Sequence, residues 1–172
     1  MSEPTDILIR IAREDDGDGL AQNWIETGAY YADLHPDLYQ MPTAEGLAAS
    51  LEQWATGSQS EVHLVLVAET DNQVVGAVGA TYHEPAADVP QFQFVRDFAQ
   101  SRIIIDLLYV RPVYWRRGIG KRLLGAAEAW GKDKGATMSL LETAIDSPVS
   151  VPFYEQGMFY QRRGLWLRKL LN

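Results

Sequence analysis

The 172-residue chain contains no cysteine. That excludes a disulfide scaffold, a zinc ribbon and any thiol nucleophile, and it agrees with a reducing compartment. Histidine is scarce: His35, His63 and His83 are scattered without ligand spacing, so no metal site is expected. No apolar run approaches the ~20 residues of a membrane span. The stretch from Ile103 to Val110 is interrupted by Asp106. The start, Met1 to Asp6, is polar and acidic, unlike the basic-then-apolar pattern of a secretory signal. Internal repeats, low-complexity tracts and long Gly/Ser linkers are missing too. These absences predict a cytoplasmic protein made of one domain, residues 1–172, without a membrane partner.

What is present is the composition of an ordinary globular protein, 47% apolar and 22% charged. A chain of this length buries roughly 70% of its unfolded surface and needs no staple. The net charge of −8 is unevenly spread. Residues 1–100 hold 17 acids and 3 bases, whereas residues 101–172 hold 6 acids and 12 bases. The basic residues of the second region gather around two glycines instead of spreading along a face, and the whole chain is acidic. Nucleic acid is therefore not the expected partner.

Ile7 to Ile11 alternates as a short strand, and the acids Glu14 to Asp18 precede Leu20, Trp24 and Ile25 as a helix start favours. Tyr30 to Pro42 reads as a loop, and Thr43 to Gly57 as a second helix. Val62 to Ala68 and Val74 to Tyr82 flank Asp71-Asn72 as a hairpin. Pro85 to Gln100 reads as a polar and aromatic excursion. Arg102 to Val110 has the near-continuous apolar character of a central strand, stopped by Pro112. Gly118 to Lys132 has helical spacing, and Met138 to Ile145 is a further strand. Ser147-Pro148 is a candidate cap and first turn, with Pro152 forcing the helix to begin nearer Ser150 or irregularly. Met158 to Gln161 and Leu165 to Leu170 read as a closing hairpin. The order β-α-α-β-β-β-α-β-α-β-β defines an α/β domain: a mixed, largely antiparallel central sheet flanked by helices, with one parallel crossover.

Chemistry concentrates in one strand-loop-helix, Val110-Arg111-Pro112-Val113-Tyr114-Trp115-Arg116-Arg117-Gly118-Ile119-Gly120-Lys121-Arg122. Unpaired amides at a helix N-terminus bind phosphate groups, and glycine lets the ligand approach the backbone. Arg116, Arg117, Lys121 and Arg122 add cationic side chains. A Walker loop would need Gly at 115, which is Trp, and a dinucleotide fingerprint would need Gly at 123, which is Leu. A solvated basic helix start is the plain reading of the same residues.

The stretch resembles the acyl-CoA-binding motif of the GNAT superfamily of N-acetyltransferases. Tyr109-Val110-Arg111-Pro112 matches the family's strand end, and Arg116-Arg117-Gly118-Ile119-Gly120-Lys121 its loop and helix start. Trp115 stands where Arg or Gln is usual. A looser match falls on Ser147, Ser150, Phe153 and Tyr154, where serine replaces the usual Asn and Ala, with Gly157 one place early. The resemblance covers essentially the whole chain.

It implies acetyl transfer from acetyl-CoA to a primary amine of a small molecule or a protein, by direct attack in a ternary complex. The backbone of Leu108, Tyr109 and Val110 would pair with pantetheine. Val110 N–H would donate to the thioester oxygen. Arg116, Arg117, Gly118, Ile119, Gly120 and Lys121 would hold the pyrophosphate. Tyr154 is the candidate general acid, or else a core aromatic beside Phe153. Asp106 is the first candidate base. Set in an apolar run, on the strand face of Ile104, Leu108 and Val110, it is costly to bury without partners; an Arg-paired structural role is the other reading. Glu142 is the second candidate, and some family members use no side-chain base. The aromatics Tyr30, Tyr31, His35 and Tyr39, with Gln91 to Phe98, fall where the family builds its acceptor wall, or else they are packing. The acidic first region would suit a cationic acceptor. A non-catalytic acyl-CoA-binding regulatory module is the competing function, and monomer and homodimer both stay open.

Overall fold

The computed structural model describes residues 6–57, 59–85, 94–165 and 167–169. The chain forms two compact units, Met1–Glu142 and Thr143–Asn172. Among the described residues the first unit runs β1 (Leu8–Ile11), α1 (Gly17–Leu34), α2 (Leu47–Gly57), β2 (His63–Thr70), β3 (Gln73–His83), β4 (Arg102–Val110), α3 (Ile119–Asp133) and β5 (Met138–Leu141). These strands make one sheet in the order β1-β2-β3-β4-β5, antiparallel except for the parallel β4–β5 pair that α3 connects. The mixed, largely antiparallel sheet is the one the sequence predicts.

Local chemistry explains the elements. Asp71 and Asn72 take φ +50° and +57°, the left-handed pair of a type I′ turn, which these two residue types tolerate. The start of α1 is tied to the sheet by Arg10 of β1. Its guanidinium donates to both Asp16 carboxylate oxygens at 2.7 Å and to Glu69 of β2 at 2.7 Å. Burial alone would raise the Asp16 carboxyl. The Arg10 hydrogen bonds, the Arg13 amide and the guanidinium charges outweigh it and hold that carboxyl below its usual value.

The sheet is covered on both faces. On one, Leu20, Leu51 and Ala55 of α1 and α2 pack with Val65, Val67, Ala77 and Tyr109. On the other, α3 buries Ile119, Leu123, Leu124 and Ala127. There α3 lies so close that a Cβ on Gly131 would sit 2.5 Å from Ile103 Cγ2, which restricts this site to glycine.

Three elements differ from expectation, while the turn at Ser150 begins where Pro152 is expected to force it. Helix α1 continues to Leu34, so Tyr30 and Tyr31 are helical; nothing breaks the pattern before Pro36, and the last turn closes with His35 N–H donating to Tyr31 O. Strand β5 ends at Leu141, not Ile145, because its ladder with β4 stops at the Ile105–Leu141 pair, where β4 bulges. In the second unit a helical turn begins at Ser150 and passes into a π-turn, Phe153–Gly157, with Ser147 Oγ accepting from Ser150 N–H at 3.1 Å. No closing hairpin is present among the described residues: 158–165 and 167–169 carry no strand. Phe159 takes φ +62°, and Phe159, Leu165 and Leu167 are exposed, so the alternation has no buried side to fix it. Residues 166 and 170 of that hairpin, and Gln91 to Gln93 of the excursion, lie outside the described residues.

Candidate active site

The site grows from the second half of β4. Up to Ile105 the strand pairs on both sides, with β3 and with β5. Gly79 opposes Leu107 whereas Ala80 opposes Ile105, so Asp106 is an extra, bulged residue. Past the bulge, among the described residues, only β3 pairs with β4, because β5 stops at Leu141. Arg111 N–H donates to Val75 O, and antiparallel alternation therefore turns the peptide groups of Leu107 and Tyr109 toward β3 and those of Leu108 and Val110 toward the β5 side. That edge offers donors and acceptors to an added extended chain. The Val110 carbonyl is capped by the Trp115 indole N–H at 2.6 Å, leaving its N–H as the donor along this edge.

The bulge also moves Asp106. Its side chain does not share a face with Leu108 and Val110, as regular alternation would require. Val110 faces α3, beside Gly76 and Leu123, while Asp106 joins Thr81 and His63. Nor is the carboxylate buried or paired with arginine. It is exposed and accepts the Thr81 hydroxyl hydrogen on Oδ2 at 2.6 Å; the Thr81 oxygen is 2.8 Å from His63 Nδ1. Three neighbouring strands thus present His63, Thr81 and Asp106 in a line. The sequence alone singles out neither Thr81 nor, beyond its lack of metal-ligand spacing, His63, since neither spacing nor composition reveals cross-strand register.

Beyond β4 the chain turns through Pro112–Tyr114 into α3. Arg116 and Gly118 take φ +62° and +77°. No atom within 4 Å opposes a Cβ on Gly118, so its backbone conformation, not space, favours glycine. The first helical bond is Arg122 N–H to Gly118 O, so the amides of Ile119, Gly120 and Lys121 point out of the helix start. Arg116, Arg117 and Lys121 are exposed around them. Arg117 also donates to Val113 O and stacks over Tyr114 at 5.1 Å. Two other bases of the same stretch, Arg111 and Arg122, are engaged elsewhere. Arg111 is held by the Glu26 carboxylate at 2.9–3.1 Å, and Arg122 donates to Ile7 O at 2.6 Å. Trp115 turns inward, edge-on to Tyr30 of α1 at 4.9 Å, and gives no side chain to an anion.

The other sequence candidates fall as follows. Tyr109 lends β4 its backbone, while its ring is buried edge-on to Trp24 at 5.8 Å, and burial pushes its hydroxyl well above the usual tyrosine range. Glu142 is exposed and follows the last β5 pair, as Asp106 follows Ile105 on β4. In the second unit Tyr154 is half-buried, with Phe153 and Tyr160 edge-on at 5.0 and 5.9 Å. Nearby Glu155 is paired with Arg162, whose hydrogen bond holds that carboxyl below its usual value. Tyr31 lies 5.1 Å from Tyr39, extending the aromatic group at the end of α1. Among the described residues no helix is long and apolar enough to cross a membrane.

An amide-rich helix start at the end of a one-sided strand edge fits an extended, amide-containing ligand that ends in phosphates. Residues 25–158 match the Acetyltransferase (GNAT) family, and the chain belongs to it. No curated protein sequence matches the chain. Among solved structures, a mutant of the BH1408 protein from Bacillus halodurans is 18% identical, with TM-score 0.76 over 95% of this chain and 99% of that one. The aminoglycoside N-acetyltransferase AAC(6')-Iy, solved with CoA, is 16% identical, with TM-score 0.65 over 98% of each chain. An aminoglycoside acetyltransferase from an uncultured soil metagenomic sample, solved with sisomicin, is 17% identical, with TM-score 0.63 over 96% of this chain and 97% of that one. At these identities the likeness is one of fold.

Proposed function

We propose that this chain transfers the acetyl group of acetyl-CoA to a primary amine by direct attack in a ternary complex. It acts as one domain over residues 1–172. The observation that carries the reading is the continuity of the Leu108 and Val110 edge with the outward amides of Ile119, Gly120 and Lys121. The edge takes the pantetheine amides as an added strand. The helix start, with Arg116, Arg117 and Lys121, takes the pyrophosphate.

Acetyl-CoA supplies the thioester carbonyl as electrophile. Val110 N–H donates to its oxygen as negative charge develops there. Asp106 removes a proton from the acceptor nitrogen, with Glu142 as the second candidate. Tyr154, by its place in the family motif, gives a proton to the departing sulfur. The new bond is nitrogen to acetyl carbon, the broken bond is carbon to sulfur, and the products are an amide and the free thiol of CoA.

A cationic acceptor suits the acidic first region. The surplus it meets is smaller than the formal count, because Glu26 is paired with Arg111 of the second region.

Calorimetry with dialysed protein and acetyl-CoA, followed by thiol release against a panel of amines, tests this. Binding with thiol release on at least one amine is expected. No detectable CoA binding would sink the proposal. Binding without release across the panel would instead make the protein a non-catalytic acyl-CoA-binding module.

A further inference from the structure

The line His63–Thr81–Asp106 is not needed to hold the sheet. Its members sit on β2, β3 and β4, whose ladders close through backbone hydrogen bonds. Asp106 is the bulged residue where β4 leaves β5. A hydroxyl has one hydrogen, and an ionised carboxylate can only accept. With Thr81 Oγ1 2.6 Å from Asp106 Oδ2, that hydrogen is committed to the carboxylate. The Thr81 oxygen must then accept from its other neighbour, His63 Nδ1 at 2.8 Å, so the neutral imidazole carries its hydrogen on Nδ1.

We propose that His63 and Thr81 are positioning residues for Asp106, orienting its carboxylate through the chain His63 Nδ1–H to Thr81 Oγ1–H to Asp106 Oδ2. The chain presents Oδ1 to the acceptor amine. This inference rests on the reading of Asp106 as the base. The proton leaves the acceptor nitrogen for Asp106 Oδ1, and neither Thr81 nor His63 receives it. Their contribution is to spare Asp106 the search among rotamers that an exposed, bulged carboxylate would otherwise make.

Two measurements on the full chain test it. Long-range proton–nitrogen NMR, recorded with the imidazoles neutral, should show His63 as the Nδ1–H tautomer in the wild type and shifted toward Nε2–H in Thr81→Val. In steady-state kinetics, Thr81→Val should lower kcat by about 10-fold, with KM for acetyl-CoA changed by less than about 2-fold, and Thr81→Ser should recover most of the loss. His63→Phe should cost about 3-fold in kcat.

An Nε2–H tautomer in the wild type overturns the proposal. So does an unchanged kcat in Thr81→Val when Asp106→Asn is inactive, although Asp106 then keeps its role as base. Wild-type kcat in Asp106→Asn, or no thiol release by the wild type on any amine, overturns the underlying reading and this one with it. If Thr81→Val fails to fold, the wild-type tautomer and the activity of Thr81→Ser and His63→Phe still decide.

Discussion

The two ends of the β4 segment are built from different materials. Toward α3, the groups aimed outward are backbone: the Leu108 and Val110 edge and the amides of Ile119, Gly120 and Lys121. At the bulge they are side chains: Asp106, Thr81 and His63, brought together from three strands. A backbone site tolerates exchange of its side chains as long as φ and ψ survive, which is how Trp115 can stand in the loop with its indole turned inward. A side-chain site depends on register and on every member. Perturbing the first should therefore require charge or bulk on the backbone itself, whereas ordinary deletions should suffice for the second.

The largest expected effect is on the backbone end. Gly120→Asp places a carboxylate beside the outward amides of the α3 start, where it satisfies the helix end and repels the phosphates together. Acetyl-CoA affinity should fall by on the order of 100-fold, or about 3 kcal/mol, with the melting temperature maintained. Calorimetry beside a thermal melt checks this. An affinity within a few-fold of wild type would mean that the side chains, not the amides, hold the phosphates.

A smaller effect belongs to a side-chain cluster away from the edge. Asp16 is 5% exposed and its carboxyl is held below its usual value, with burial opposed and outweighed by Arg10. A depressed folded value means that the stabilisation is present in full above the unfolded value of about 3.9 and is lost as pH falls through the folded one. Asp16→Asn should cost about 2 kcal/mol at neutral pH and flatten the acid limb of the stability curve, with acetyl-CoA affinity unchanged. Urea titrations from neutral to acid pH measure both. An acid limb as steep as in the wild type would move the linkage to other carboxylates.

The same contrast explains what the sequence discloses. Strand, glycines, bases and helix periodicity are local in the chain, so the loop and the start of α3 are legible as an anion site from residues 110–122. Asp106 is legible as an odd carboxylate in an apolar run. Its surroundings are not, because the bulge that rotates it away from Leu108 and Val110 is a property of the β3–β4 register. Thr81 and His63 are unremarkable residues in their own strands until Cα pairing sets them side by side. The fates of Arg111 and Arg122 are hidden for the same reason, since Glu26 and Ile7 lie 85 and 115 positions away. The closing hairpin shows the converse: Phe159, Leu165 and Leu167 alternate acceptably, yet their exposure leaves the pattern nothing to bury.

Trp115→Phe gives the smallest effect and probes the seam between the two materials. The indole N–H on Val110 O is a side-chain bond to the strand edge, and the ring also meets Tyr30 of α1. Phenylalanine keeps a ring for Tyr30 but leaves the Val110 carbonyl without this donor, at a cost of about 1 kcal/mol in stability. If the edge is rigid backbone, acetyl-CoA affinity should change by less than about 3-fold, because the outward Val110 N–H is positioned by its β3-paired neighbours Tyr109 and Arg111 and not by the indole. A loss of affinity well beyond that, with the melting temperature barely moved, would show that Trp115 aims the Val110 peptide. The loop would then count among the side-chain parts of the site.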